Sequence, residues 1–193
     1  MGKGKIKVQA ENIFPIIKKF LYTDQEIFLR ELVSNAVDAT TKLKKLSSLG
    51  KFKGDLGDLQ IEVVVNKEDK TISIIDRGIG MSSDEVKQYI NQVAFSGAED
   101  FLKKFDDKND KSGIIGHFGL GFYSAFMVAE KVQIKTKSYI SKEKACFWEC
   151  DGSPEYTLKD IDKKNRGTEI ILHISDDAKD YLEDAKISNL LTK

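Results

Sequence analysis

Polar and apolar positions along residues 28–39, FLRELVSNAVDA, sort into two arcs of one helix. At about 100° per residue, offsets of four and seven keep Glu31, Asn35 and Asp38 in one narrow arc, with Ser34, Lys42 and Lys45. Leu32, Val33, Ala36, Leu43 and Leu46 lie opposite. Such a stripe is either the solvated side of an amphipathic helix or a working site, and the stretch by itself leaves both readings open.

The flanking pattern sets the limits of this helix. TDQE at 23–26 reads as a capping box and predicts a start at Thr23, while Gly50 predicts a stop soon after Leu46. Upstream, the pattern predicts a short strand near residues 5–8 and a helix in ENIFPIIKKFLY, with Pro15 near its first turn. Downstream, LQIEVVV (59–65) and TISIID (71–76) form a predicted antiparallel hairpin around NKEDK. Ser82 and Glu85 make a second capping box ahead of DEVKQYINQV. The polar, glycine-containing connector 96–116 is a candidate mobile lid. GHFGLGFYSAFMVA runs from glycines into an apolar helix; KVQIKTKS, KACFWECD and GTEIILHIS read as strands, and DDAKDYLEDAKISNLL as a closing helix. The expected fold is α+β, a two-layer sandwich of helices on a mainly antiparallel mixed sheet.

Composition narrows the function classes. The 193 residues, 40% of them apolar, suffice for one domain with a real core, and no internal repeat divides residues 1–193. Thirty-one basic and 31 acidic side chains cancel, so there is no global positive field for a nucleic-acid backbone. No run of about 18 apolar residues could span a bilayer, and MGKGKIKVQA lacks the apolar stretch of a signal peptide. Cys146 and Cys150, four apart, would stand about 13 Å from each other on an extended strand, too far for a disulfide. They read as packed thiols, His117 and His173 complete no zinc-ligand spacing, and a cytoplasmic location is expected.

Two glycine-bearing segments add candidate chemistry. In GHFGLGFYS, Gly116, Gly119 and Gly121 permit close backbone approach where a helix begins, which suits phosphate oxygens, or simply tight packing. The spacing is neither the dinucleotide G-x-G-x-x-G nor the P-loop pattern. In DRGIGM, Asp76 ends a buried-looking strand, and Gly78 and Gly80 are expected to leave space beside it. A carboxylate in such a slot can accept a hydrogen bond from an exocyclic amine such as that of adenine; the alternative is a plain Asp-Gly turn.

In this order, ELVSNAVDA, DRGIGM, GHFGLGFYSAFMVA and RGTEIILHI resemble the nucleotide-binding motifs of the superfamily of gyrase B, histidine kinases, MutL and heat-shock chaperones. EIFLRELVSNAVDA and GFYSAFMVAEKV are most similar to the amino-terminal ATPase domain of ninety-kilodalton heat-shock chaperones of the bacterial high-temperature protein G type. The resemblance runs from Gln9 to the final helix, and the middle and carboxy-terminal domains of that family lie outside this chain.

The resemblance implies a Mg²⁺-dependent ATPase with a lid at about 94–121. It implies Glu31 as the general base that orients and deprotonates the attacking water, assistance worth about 10²–10⁴ in rate. Asn35 would present an amide oxygen to Mg²⁺, Asp38 would line the same pocket, and Asp76 would read the adenine amine. Gly80 and Met81 would shape the base slot, with Thr168 at its water-mediated edge. Backbone of Gly116, Phe118, Gly119, Gly121 and Phe122 would hold the phosphates of ATP or ADP.

It further implies homodimerisation and client proteins in a longer chain, no nucleic-acid or membrane partner, and weak turnover in the domain alone, because an arginine comes from the middle domain. Departures from the family pattern are Asn91-Gln92 for Gly-Thr, Phe95 for a lysine, Tyr89 for an asparagine and His117 for a glutamine. A DNA-acting relative would show salt-dependent DNA binding, a histidine kinase would need a helical phosphoacceptor histidine, and a purely structural protein would bind no nucleotide.

Overall fold

In the computed structural model, which describes residues 25–91 and 121–192, the first element is helix α1, Ile27–Ser48. It starts later than the expected Thr23, which lies outside the described residues: Glu26 is the N-cap and makes no side-chain capping bond. Burial substitutes for the cap, because Phe28 and Leu29 in the first turn are 0% and 1% exposed. The other end matches its signal. Gly50 has φ +67°, its N–H donates to Ser47 O at 2.9 Å, and Lys51 N–H donates to Leu46 O at 2.9 Å, a Schellman closure.

Strands β1 (Glu62–Asn66) and β2 (Thr71–Ile75) form the expected hairpin. Its turn is local chemistry: Asn66 Oδ1 accepts from Asp69 N–H at 3.0 Å, and Lys70 takes φ 52°. Helix α2 (Ser83–Tyr89) opens with the complete Ser82–Glu85 capping box, Glu85 N–H donating to Ser82 Oγ and Ser82 N–H to Glu85 Oε2. Then follow β3 (Ala129–Lys137), β4 (Ala145–Cys150), β5 (Thr157–Ile161) and β6 (Gly167–Ile174), and the sheet order is β1-β2-β6-β3-β4-β5. All pairings of these six strands are antiparallel.

One face of the sheet carries Ile72, Ile74, Val132, Ile134, Cys146, Trp148, Leu172 and Ile174 into a core shared with Phe28, Leu29, Leu32 and Ala36 of α1. Each fully buried large side chain there contributes about 1.5–3 kcal/mol. The opposite face holds charged pairs such as Lys135–Glu169 at 3.5 Å, which gives the two-layer α+β arrangement. Cys146 and Cys150 are free thiols on the buried face of β4.

Two expected α-helices differ. Gly121–Met127 is a 3₁₀ helix, in which Ser124 Oγ donates to Gly121 O at 2.6 Å and so takes a carbonyl that an α-helix would bond to the main chain. The closing helix is split into a 3₁₀ segment, Asp176–Leu182, and α3, Asp184–Thr192, with extended Glu183 between them. Ala178 and Tyr181 are buried three residues apart, the repeat of a 3₁₀ turn. The expected strand near 5–8, the helix with Pro15 and all of the lid but Gly121 lie outside the described residues. No helix among the described residues is long and apolar enough to cross a membrane.

Candidate functional site

The stripe on α1 is not a solvated face. Glu31 and Asn35 are half-buried and Asp38 is 4% exposed. One turn further, Lys42 is deep enough that burial lowers its pKa, against the pull of Asp38 and Glu85. Glu31 meets the glycine turn directly: a Cβ built on Gly121 would collide with Glu31 Oε2. Folding thus sets a carboxylate against the main chain of Gly121, where a Cβ would have to push it aside.

The second part is the end of β2. Asp76 is 6% exposed, and burial pushes its carboxyl up to about 6, opposed by the N–H groups of Gly78 and Thr168 and by Lys163. Gly78 N–H donates to Asp76 Oδ1 at 2.8 Å. Main-chain bonds hold the residue in place: Asp76 N–H donates to Thr168 O at 2.9 Å and Thr168 N–H returns to Asp76 O at 3.2 Å, continuing the β2–β6 ladder.

The segment after Asp76 docks on α1, with Ile79 N–H on Ala39 O at 3.2 Å. Here the expected empty space beside Asp76 is corrected. A Cβ on Gly78 would meet Ala39 C at 2.5 Å, and one on Gly80, at φ +58°, would strike the Lys137 carbonyl. Both glycines serve close backbone packing; they do not leave a vacancy at their own positions.

Thr136 was not singled out by the sequence, yet it ties this region together. It is fully buried, its Oγ1 accepts from Met81 N–H at 2.9 Å, and it lies 3.0 Å from Thr168 Oγ1. Its only sequence signal is a hydroxyl on the core-facing register of β3, after Val132 and Ile134. Phe122 points its ring into the core, 5.6 Å from Trp148 and 6.4 Å from Phe126, leaving its backbone for any contact with ligand. Tyr89 ends α2, and His173 sits in β6, in no helix. Gly116, His117, Phe118 and Gly119, with Gln92 and Phe95, lie outside the described residues. An open groove between α2 and β5, lined by Ser83, Lys87, Tyr156 and Leu158, includes none of the candidate residues.

The donor set fits a nucleotide. A desolvated carboxylate such as Asp76 is costly until a further donor reaches it, and an exocyclic amine is such a donor. Among the described residues no group of three His, Cys, Asp or Glu side chains could hold a metal unaided. The single amide oxygen of Asn35 suits a hard cation whose other ligands are phosphate and water.

Comparison with known proteins gives the family of the chain. Residues 22–178 match the family described as histidine kinase-, DNA gyrase B-, and HSP90-like ATPase. Over 193 residues, all of this chain, the sequence is 63% identical to Chaperone protein HtpG of Bacteroides thetaiotaomicron and covers 28% of it. It is 58% identical over 191 residues, 99% of the chain, to the protein of the same name from Porphyromonas gingivalis, again 28% of that protein. For the Cronobacter sakazakii protein the figures are 45% over 189 residues, 96% of the chain and 30% of the relative. The chain therefore spans less than a third of the length of these relatives.

Proposed function

Because the chain belongs to the histidine kinase-, DNA gyrase B-, and HSP90-like ATPase family, we propose that it is the ATP-binding and slowly hydrolysing part of an HtpG-type chaperone acting in the cytoplasm. The observation that carries this reading is a convergence. Glu31 of α1 abuts Gly121, while Ala39, two turns further along the same helix, receives the Asp76–Gly80 segment, so one helix joins the glycine turn and the carboxylate-tipped strand.

In this reading Asp76 accepts the adenine amine, the Thr136 and Thr168 hydroxyls stand beside it, and Gly80 and Met81 shape the slot. Asn35 turns its amide oxygen to Mg²⁺ and Asp38 lines the same pocket. Bound Mg²⁺ neutralises charge on the phosphate oxygens. Glu31 orients a water and takes its proton. The backbone of Gly121 and Phe122 holds phosphate oxygens, together with Gly116, Phe118 and Gly119 from the segment expected to act as a lid. In the longer protein, nucleotide state would bias dimerisation and client binding through differential contacts with the open and closed forms.

Calorimetric titration with ADP and Mg²⁺, paired with single-turnover ATP hydrolysis, tests the proposal. The wild-type chain is expected to bind one nucleotide, Asp76→Asn none, and Glu31→Ala to bind while its turnover falls by about 10²–10⁴. Unchanged affinity in Asp76→Asn removes the adenine assignment, and retained turnover in Glu31→Ala removes the base. Strong salt-dependent binding of duplex DNA would instead favour a DNA-acting relative.

A further inference from the structure

Two hydrogen bonds tie the end of α2 to other elements at adjacent residues. Trp148 Nε1–H, from β4, donates to Asn91 Oδ1 at 2.8 Å, and Tyr123 Oη–H, from the 3₁₀ helix Gly121–Met127, donates to the Ile90 carbonyl. Indole nitrogen is only a donor, so the Asn91 amide must present its oxygen. That orientation leaves Asn91 Nδ2 buried with no acceptor among the described residues. A leucine would fill similar volume and remove the stranded amide nitrogen, but it would leave the Trp148 indole N–H without its acceptor; what the amide adds is direction, a fixed tie between β4 and residue 91.

Both ties bracket the glycine turn. The Trp148 and Phe122 rings meet edge-on at 5.6 Å, Phe122 and Tyr123 at 5.5 Å, and Phe122 directly follows the Gly121 that abuts Glu31. Burial pushes the Tyr123 phenol up to about 12, so its hydroxyl remains a donor throughout the neutral range.

We infer that Asn91, Trp148 and Tyr123 are positioning residues, a clamp that holds the Gly121–Phe122 turn in place against the Glu31 carboxylate. The inference deepens the proposed ATPase reading and rests on it for its catalytic consequence. The clamp itself is judged without nucleotide.

The test compares Asn91→Leu, Trp148→Phe, their double variant and the milder Tyr123→Phe, which keeps the ring and loses only the hydroxyl. Amide hydrogen exchange across Gly121–Met127 in the nucleotide-free chain is expected to accelerate about tenfold in each. Single-turnover hydrolysis is expected to fall about tenfold, with a smaller loss of ADP affinity through the Gly121–Phe122 backbone that holds phosphate, because the adenine-reading Asp76 is untouched. In the double variant stability should recover relative to the sum of the single losses, since the indole donor left unpaired by leucine is gone, while turnover stays low. Unchanged exchange in Asn91→Leu and Tyr123→Phe overturns the clamp, and so does turnover that recovers together with stability. A wild-type chain that binds no ADP sinks the ATPase reading instead, with the exchange result still deciding whether the clamp exists.

Discussion

Replacing Asp76 by asparagine separates what the buried carboxylate costs the fold from what it contributes to binding. Its carboxyl, ordinarily near 3.8, is pushed up to about 6 by burial. Between those pH values the folded chain holds a proton that the unfolded chain has released. The contribution of this group to stability is therefore greatest below about pH 4, declines as pH rises toward 6, and stays at the lower level above it. Two pH units at 1.36 kcal/mol each amount to about 3 kcal/mol. Asparagine has no charge to desolvate and keeps an acceptor for Gly78 N–H. Urea denaturation of the nucleotide-free chain at a series of pH values should show the two proteins close together near pH 4. At pH 7 Asp76→Asn should be more stable by about 3 kcal/mol, even though it no longer binds ADP. Curves separated by the same amount at every pH, or a wild type that is the more stable at pH 7, would refute the reasoning.

The same group makes binding pH-dependent: with Asp76 about ten-elevenths protonated at pH 5, the ADP Kd should be roughly tenfold weaker there than at pH 7, and a flat titration would contradict its role. Gly121→Ala drives a methyl into Glu31 Oε2; because that carboxylate can swing aside, Tm should shift by only a few degrees while single-turnover hydrolysis drops at least about tenfold. Gly80→Ala has no such escape, since φ is +58° and the Lys137 carbonyl occupies the space, so denaturation should report a loss above about 2 kcal/mol. Thr136→Val removes the acceptor of Met81 N–H and the partner of Thr168, and denaturation should show a cost of about 1–3 kcal/mol.

Local signals in the sequence carried to the structure where the chemistry itself is local. The Ser82–Glu85 box closes within three residues, Gly50 stops α1 through its own dihedral, and the NKEDK turn is made by Asn66 and Asp69. What depended on neighbours distant in sequence was not legible. Strand β5 escaped notice because TLKDI is an edge strand with an exposed, weakly alternating pattern. The apolar run after Gly121 reads as an α-helix until Ser124 is seen competing for the Gly121 carbonyl. At the site, the arc of Glu31, Asn35 and Asp38 was visible as a stripe, but its burial was not. Nor was Thr136, whose partners Met81 and Thr168 are 55 and 32 residues away.

The reciprocal main-chain bonds between Asp76 and Thr168 carry a consequence for how this region tolerates sequence change. Side chains alternate between the two faces of a sheet, so sliding β2 against β6 by a single residue would swing the carboxylate to the opposite face. The address of the acid is written in the backbone, and the surrounding side chains can vary without moving it.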